Sequence, residues 1–205
     1  MKKTILAVFA IAGLSGASAA LAGDQGWYIY GAVGQTFNNN DKSTLDTLLS
    51  SAGATGFSSS INKPTVYNLD IGYQLDKNVA FEGGYVGSNN ETYTASGGNL
   101  AGPLSASADI SGWDVKAVGI LPVANQFSLL GKIGVADIKE SATVVGPGGA
   151  ASLSGSKTDI TYGAGAKYDI TQSVAVRLDW DRYSVGSSSD YSHSDVWTIG
   201  VAYKF

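Results

Sequence analysis

The stretch Val196-Trp-Thr-Ile-Gly-Val-Ala-Tyr-Lys-Phe205 closes the chain and decides how the rest is read. Trp197, Ile199, Val201, Tyr203 and Phe205 recur at every second position, with Thr198, Gly200, Ala202 and Lys204 between them. A strand puts residues i and i+2 on one face. This segment therefore has an apolar face with aromatics at both ends and a small or polar face opposite. A soluble sandwich strand can alternate in the same way. What sets this one apart is the stop on Phe205, as if that residue had to be the terminus.

The other end of the chain reads differently. Lys2 and Lys3, the apolar run Ile5 to Leu14 and the small-x-small site Ala20-Leu-Ala22 predict a secretory signal peptide over 1–22, with Ala17-Ser-Ala19 as the alternative cleavage site. The run is shorter than the ~20 residues of a spanning helix. One domain over 23–205 is then expected. Thirteen basic and 17 acidic residues give a formal charge of −4, and setting aside Lys2 and Lys3 leaves −6. Such a chain has no electrostatic reason to bind nucleic acid. With no cysteine, disulfides and thiolate metal sites are excluded.

Eight alternating segments follow: 27–36, 65–75, 79–87, 113–121, 127–136, 160–170, 174–183 and 196–205. The second has the clearest two faces, Tyr67, Leu69, Ile71, Tyr73 and Leu75 against Asn68, Asp70, Gly72 and Gln74. Each is near the ~9–11 residues that a tilted strand needs to cross a bilayer. The connections are unequal in a regular way. Residues 76–78, 122–126 and 171–173 are tight turns, whereas 37–64, 88–112, 138–159 and 184–195 are long and rich in Gly, Ser and Asn. A barrel with short periplasmic turns and long extracellular loops produces this alternation. The aromatics then form two girdles. Trp27, Tyr73, Phe81, Phe127, Tyr168, Tyr203 and Phe205 lie at the turn end, and Tyr67, Tyr85, Trp113, Tyr162, Trp180 and Trp197 at the loop end, as two bilayer interfaces favour. The expected fold is all-β, an eight-stranded antiparallel up-and-down transmembrane β-barrel.

At this point the sequence resembles the eight-stranded barrels of the OmpA-like and OmpX-like outer membrane proteins. The carrying stretches are Trp27-Tyr-Ile-Tyr-Gly-Ala-Val-Gly-Gln35, Ile71-Gly-Tyr-Gln-Leu75 with Val79-Ala-Phe-Glu-Gly-Gly-Tyr85, Ala164-Gly-Ala-Lys-Tyr-Asp-Ile-Thr171 with Val176-Arg-Leu-Asp-Trp180, and Tyr203-Lys-Phe205. The resemblance implies a monomer in the outer membrane of a Gram-negative bacterium, both termini periplasmic. Its partners would be outer membrane lipids including lipopolysaccharide, with the barrel-assembly machinery and periplasmic chaperones during biogenesis. Trp197, Ile199, Val201, Tyr203 and Phe205 resemble the assembly signal read by that machinery. Larger OmpA members continue into a peptidoglycan-binding domain; this chain stops at the barrel, so that activity is not expected.

Eight strands leave an interior that side chains fill. The expected inward charges are Asp70, Glu82, Asp114 and Asp179 against Lys116, Lys132, Lys167 and Arg177, a neutral set. By resemblance, Glu82 and Arg177 face each other across the lumen, and Lys116 matches an inward family lysine. Lys167 stands where an acid is found in the family, which makes Asp179 the expected second partner of Arg177. The expected role is structural, with surface interaction through the loops; a low-conductance or hydrophobic-solute channel is the alternative. A lipid A-modifying enzyme is the third reading. It would rest on His193 in Ser192-His-Ser-Asp195, but the His-x-Ser spacing of barrel deacylases is absent, and no enzyme, metal or cofactor is expected. Gly146-Pro-Gly-Gly149 reads as a turn. Ser43-Thr-Leu-Asp46 resembles a capping box, which predicts a short amphipathic helix in the first loop, packed on the barrel mouth, with contact to a host surface or a ligand as the alternative.

Overall fold

The structure, a computed structural model, describes residues 25–36, 42–185 and 192–205. The expected signal peptide lies outside the described residues. Ten strands and one helix follow in chain order: β1 (Gly26–Thr36), α1 (Lys42–Ser51), β2 (Ser58–Ile61), β3 (Thr65–Gln74), β4 (Val79–Ser88), β5 (Glu91–Ser96), β6 (Leu104–Ala124), β7 (Phe127–Gly146), β8 (Gly149–Asp169), β9 (Val174–Val185) and β10 (Ser192–Lys204).

Eight of these strands, all but β2 and β5, close into an antiparallel ring. Its order is β1-β3-β4-β6-β7-β8-β9-β10, and β10 returns to β1 from Tyr28↔Lys204 to Thr36↔Val196. Closure leaves the ring without an edge. The alternation seen in the sequence is realised inside out relative to a water-soluble protein. Along β3, Val66, Asn68 and Asp70 are buried while Tyr67, Leu69 and Ile71 are exposed. The same outward row holds Val115, Ile133, Ile199 and Val201. Aromatic pairs bracket it, with Trp27 on Tyr73 at 5.0 Å at the turn end and Tyr85 on Trp113 at 5.0 Å at the loop end. A belt of exposed aliphatics between two girdles is stable only in hydrocarbon.

The tight turns form because short polar side chains take over unpaired backbone donors. Asp76 Oδ1 accepts from the amides of Asn78 (2.7 Å) and Val79 (2.9 Å), and Thr171 Oγ1 accepts from Val174 (2.9 Å).

Two of the expected long loops are corrected. Much of 88–112 and 138–159 is strand: β6, β7 and β8 run 20 or 21 residues each, well past the belt. Above the loop-end girdle both sheet faces meet water, so the apolar alternation that marks a membrane strand has no cause to persist. The backbone ladder continues through Ser, Ala, Thr and Gly without it. Gly146↔Gly149 closes the β7–β8 hairpin at the expected turn, with Gly149 at φ +125°. The short strands β5 and β2 extend this projecting sheet beyond β6. A period-2 signal for β5 was present in Thr92-Tyr-Thr-Ala95, whose Tyr93 and Ala95 are buried.

The first loop does carry a helix, but neither its cap nor its packing is as expected. Ser43 lies inside α1, and its carbonyl accepts from Thr47 Oγ1 (2.7 Å). No α1 residue is buried, and Leu48 is exposed. The helix is tied down by charge instead. Asp46 accepts from Ser59 Oγ (2.6 Å), from the Tyr93 hydroxyl (2.6 Å) and from Lys42 (2.8 Å). These bonds, that from Lys42 foremost, hold the Asp46 carboxyl down at about 2. A depressed folded-state pKa means that the tie is at full strength above the ordinary carboxylate value and fails as pH falls through the folded value. Amide protection factors over 42–51, each rate taken relative to the intrinsic rate at that pH, should therefore be constant from neutral pH to about 4 and fall as pH drops toward 2. Asp46→Asn should abolish that dependence.

Candidate functional site

The barrel interior is built in three layers. At the turn end Ala80, Val118, Ile120 and Leu130 pack with the Tyr28 ring. At the loop end Val66, Val86, Ala136, Ile138 and Val196 pack with Tyr183. Between these layers lies a buried ionic network.

Arg177, on β9, is its centre. The guanidinium donates Nη1 to Glu82 Oε1 and Nη2 to Glu82 Oε2 (3.4 Å), pairing β9 with β4 across the lumen. Nη2 also reaches Asp179 Oδ1 at 3.5 Å, and Nε lies 3.3 Å from Asp179 Oδ2 without hydrogen-bond geometry. Lys132 then bridges Asp179 (3.2 Å) and Asp181 (2.8 Å). Acid and base alternate along the row Glu82, Arg177, Asp179, Lys132, Asp181. A second pair, Lys116 with Asp114 at 2.8 Å, stands beside it. Three tyrosines donate into the network: Tyr28 to Glu82 (2.7 Å), Tyr30 to Asp179 (2.6 Å) and Tyr183 to Asp114 (3.0 Å). The Tyr30 ring also lies 4.1 Å from the Arg177 guanidinium, within cation–π range. Glycines make room for the charges: a Cβ on Gly165 would overlap the Asp179 carboxylate.

The sequence reading is corrected at two positions. Lys167 is not in the sealed interior; it is half-buried at the turn-end mouth, 3.1 Å from Asp169. The register sets it beside Arg177, and a long stem lets its ammonium turn from that cation toward Asp169 and water. Asp181 is buried in the network although the sequence reading left it out. Its position two residues beyond Asp179 on the same face was signal enough. The remaining expected residues, Asp70, Glu82, Asp114, Lys116, Lys132, Arg177 and Asp179, are all buried.

The interior is therefore not neutral. Asp70, Glu82, Asp114, Asp179 and Asp181 face Lys116, Lys132 and Arg177. Asp70 makes no ion pair among the described residues, and Asn68 Oδ1, Asp114 Oδ1 and Asp181 Oδ1 are buried acceptors without a donor.

His193 is exposed on β10 opposite Ser184, and the carboxylate of Asp195 is committed elsewhere. Arg182 holds it with Nε at 2.6 Å and Nη2 at 2.7 Å. A bidentate clamp of this kind orients the guanidinium rather than an imidazole. Among the described residues no cluster of three or more His, Cys, Asp and Glu side chains could hold a metal ion. Trp197, Ile199 and Val201 form the outward row of β10, exposed Phe205 follows its last residue, and the Tyr203 and Phe205 rings lie 5.3 Å apart.

The projecting sheet has a different character. Residues 149–160 of β8 pair with β7 on one side, whereas the β8–β9 ladder begins only at Tyr162↔Arg182. No described strand covers the other side. Apart from Lys157 and Asp159, both near the barrel, these residues are exposed, and Leu153 is 78% exposed. Across the hairpin Leu153 lies diagonal to exposed Val144. The stretch Gly149-Ala-Ala-Ser-Leu-Ser-Gly-Ser156 carries no charge. Natural edges are usually guarded by Lys, Pro or a bulge, and this part of the edge is not.

Comparison with known proteins agrees with this architecture. The family model described as outer membrane protein beta-barrel domain matches residues 6–205. The chain is 27% identical over 205 residues to the Attachment invasion locus protein of Yersinia enterocolitica, with 100% of each chain covered. Ail, the attachment invasion locus protein of Yersinia pestis, superposes with a TM-score of 0.52 at 18% identity, over 90% of this chain and 100% of that one. The N-terminal β-barrel domain of Pseudomonas aeruginosa OprF gives 0.53 at 14% identity, over 88% and 98%. At these identities the structural likeness speaks for the fold alone.

Proposed function

The chain belongs to the outer membrane β-barrel family and is integral to the outer membrane of a Gram-negative bacterium, and on that premise we propose that it is a closed anchor presenting a free sheet edge for surface attachment. The single observation that carries this reading is that no described strand pairs with β8 over 149–160 on the side away from β7. An exposed edge offers a row of backbone donors and acceptors to an extended segment of another chain, and side chains at alternate positions select it. The occupant would be an extended, weakly charged segment of a host surface protein, met on the extracellular side where the long connections lie. The exposed Leu153 and Val144 offer it an apolar contact. The relative named for attachment and invasion supports the direction of this reading.

The barrel itself serves as the support. Its interior is filled by the ionic network, with an apolar layer packed on it toward the loop end, so conduction would require the network and that layer to part. This favours the anchor over the channel.

The test is adhesion of cells displaying the protein to immobilised host matrix, together with amide exchange of the bound barrel. Wild-type contact should protect the amides of 149–160. Leu153→Lys should reduce adhesion at least tenfold with unchanged surface display, because a charge on an edge strand opposes strand addition. Protection confined to other loops, or full adhesion by Leu153→Lys, would overturn the assignment.

A further inference from the structure

In the belt the outward row of each strand is largely aliphatic, and above the loop-end girdle the same face turns to hydroxyls. On β6 the outward parity of Val115 and Trp113 continues through Ser111, Ser107 and Ser105. The ladders bring such positions from neighbouring strands into line. Thr92 of β5, Ser107 of β6, Thr143 of β7 and Ser152 of β8 stand in one row across four strands. Thr94 beside Ser105 belongs to the row above, and Ser141 beside Ser154 to the row below. Neighbours within a row are about 4.8 Å apart, and rows are roughly 7 Å apart, as strand geometry sets them.

We infer that this hydroxyl face is a contact surface for the saccharide chain of lipopolysaccharide standing beside the barrel in the outer leaflet. The position selects the partner first. The face continues the lipid-facing belt, so a lipid whose acyl chains lie on Val115 and Ile133 carries its sugars up past Trp113 to the hydroxyl rows. The chemistry matches as well. Each hydroxyl offers one donor and two acceptor sites. Where two of them pair, Thr143 with Ser152 at 3.1 Å and Ser60 with Thr94 at 2.8 Å, they do so along a row and keep capacity for a polyhydroxyl partner. Charge then narrows the class. Over the rows from Ser111 to Ser105 the described face carries one acid and one base, Asp109 and Lys139, which suits neutral sugars rather than a sulfated chain. The face is also open, because α1 is tied to the opposite one through Ser59 and Tyr93.

The hydroxyl face and the β8 edge are separate surfaces, and either assignment can fail alone. The test is methyl NMR of the full folded chain in nanodiscs of phospholipid, of lipid A without its sugar chain, and of complete lipopolysaccharide. The methyls of Thr92, Thr94 and Thr143 report on the hydroxyl face, and those of Ala106, Ala108 and Ala142 on the opposite one. The threonine signals should shift with complete lipopolysaccharide alone, and the alanine signals should not. The variant Thr92→Val with Ser107→Ala and Thr143→Val removes one row while leaving β8 untouched. It should bind the saccharide released from lipid A about tenfold more weakly or worse, read at the Thr94 methyl, as expected for several neutral hydrogen bonds lost together. Its folding is checked by heat-modifiable mobility. Ser107→Ala alone should cost about threefold and remains informative if the triple variant does not fold. Equal threonine shifts with lipid A alone, shifts confined to the alanines, unchanged affinity in both variants, or an equal response to a sulfated polysaccharide added to phospholipid nanodiscs would overturn the inference.

Discussion

Leu69→Arg is expected to destabilise the folded barrel by about 2–4 kcal/mol in reversible unfolding from lipid vesicles, the cost of a cation near the bilayer midplane. Leu153→Arg should stay within about 0.5 kcal/mol of wild type, as an ordinary surface substitution does. The comparison is informative because the two leucines are alike in everything except the medium. Leu69 is 61% exposed and Leu153 is 78% exposed, and both lie on strands of the same sheet. Leu69 sits between the girdle residues Tyr67 and Tyr73 on β3, whereas Leu153 lies on β8 well above Tyr162. If exposure alone governed the result, Leu153 would tolerate the charge no better than Leu69. Equal effects at the two sites would mean that the belt has been misplaced along the barrel.

The second large effect is expected inside. Glu82→Ala should cost about 3–5 kcal/mol, the usual penalty for breaking a buried ion pair from one side. It removes both carboxylate oxygens from Arg177 and leaves the Tyr28 hydroxyl without its acceptor. Asp179 still reaches the guanidinium, so the lower end of that range is favoured. Replacing both partners at once, Glu82→Leu with Arg177→Met, should recover most of the loss, because an apolar pair of similar volume carries no desolvation penalty. Asp70→Asn is expected to be neutral or stabilising. That substitution removes a buried carboxylate that lies in no ion pair among the described residues and keeps its shape. Chemical unfolding of the three variants under one lipid condition checks the whole order. An Asp70→Asn penalty as large as that of Glu82→Ala would show that the surplus acids are bonded within the network rather than uncompensated.

The buried surplus also explains where sequence reading of the interior failed. Summing charges on the inward face balanced the set only by placing Lys167 inside and leaving Asp181 out. Strand periodicity assigns a face, and both residues do occupy the inward face. Periodicity does not say how far along the axis a long side chain bends, nor whether its neighbour already carries the same sign. Arg177 beside Lys167 decided that. The capping box at Ser43 failed for a related reason. Its residues are right for a helix start, but Ser59 and Tyr93 compete for Asp46, and neither is near it in sequence.

What the sequence by itself determined is everything that follows from a two-residue period in a two-phase medium. That covers the closing strand Val196–Phe205, the eight crossings, the girdles, the tight turns at Asp76 and Thr171, and the face on which each charge lies. These are local consequences of strand geometry and of hydrocarbon against water, so they are written in consecutive residues. The tertiary structure alone decided the pairing of Arg177 with both Glu82 and Asp179, the apolar layers toward the two ends, and the sheet that rises beyond the membrane with no described strand on one side of β8. Each depends on residues brought together by ring closure or by a backbone ladder. A ladder in water leaves no hydrophobic period behind it, so the projecting edge was the least legible part of the chain.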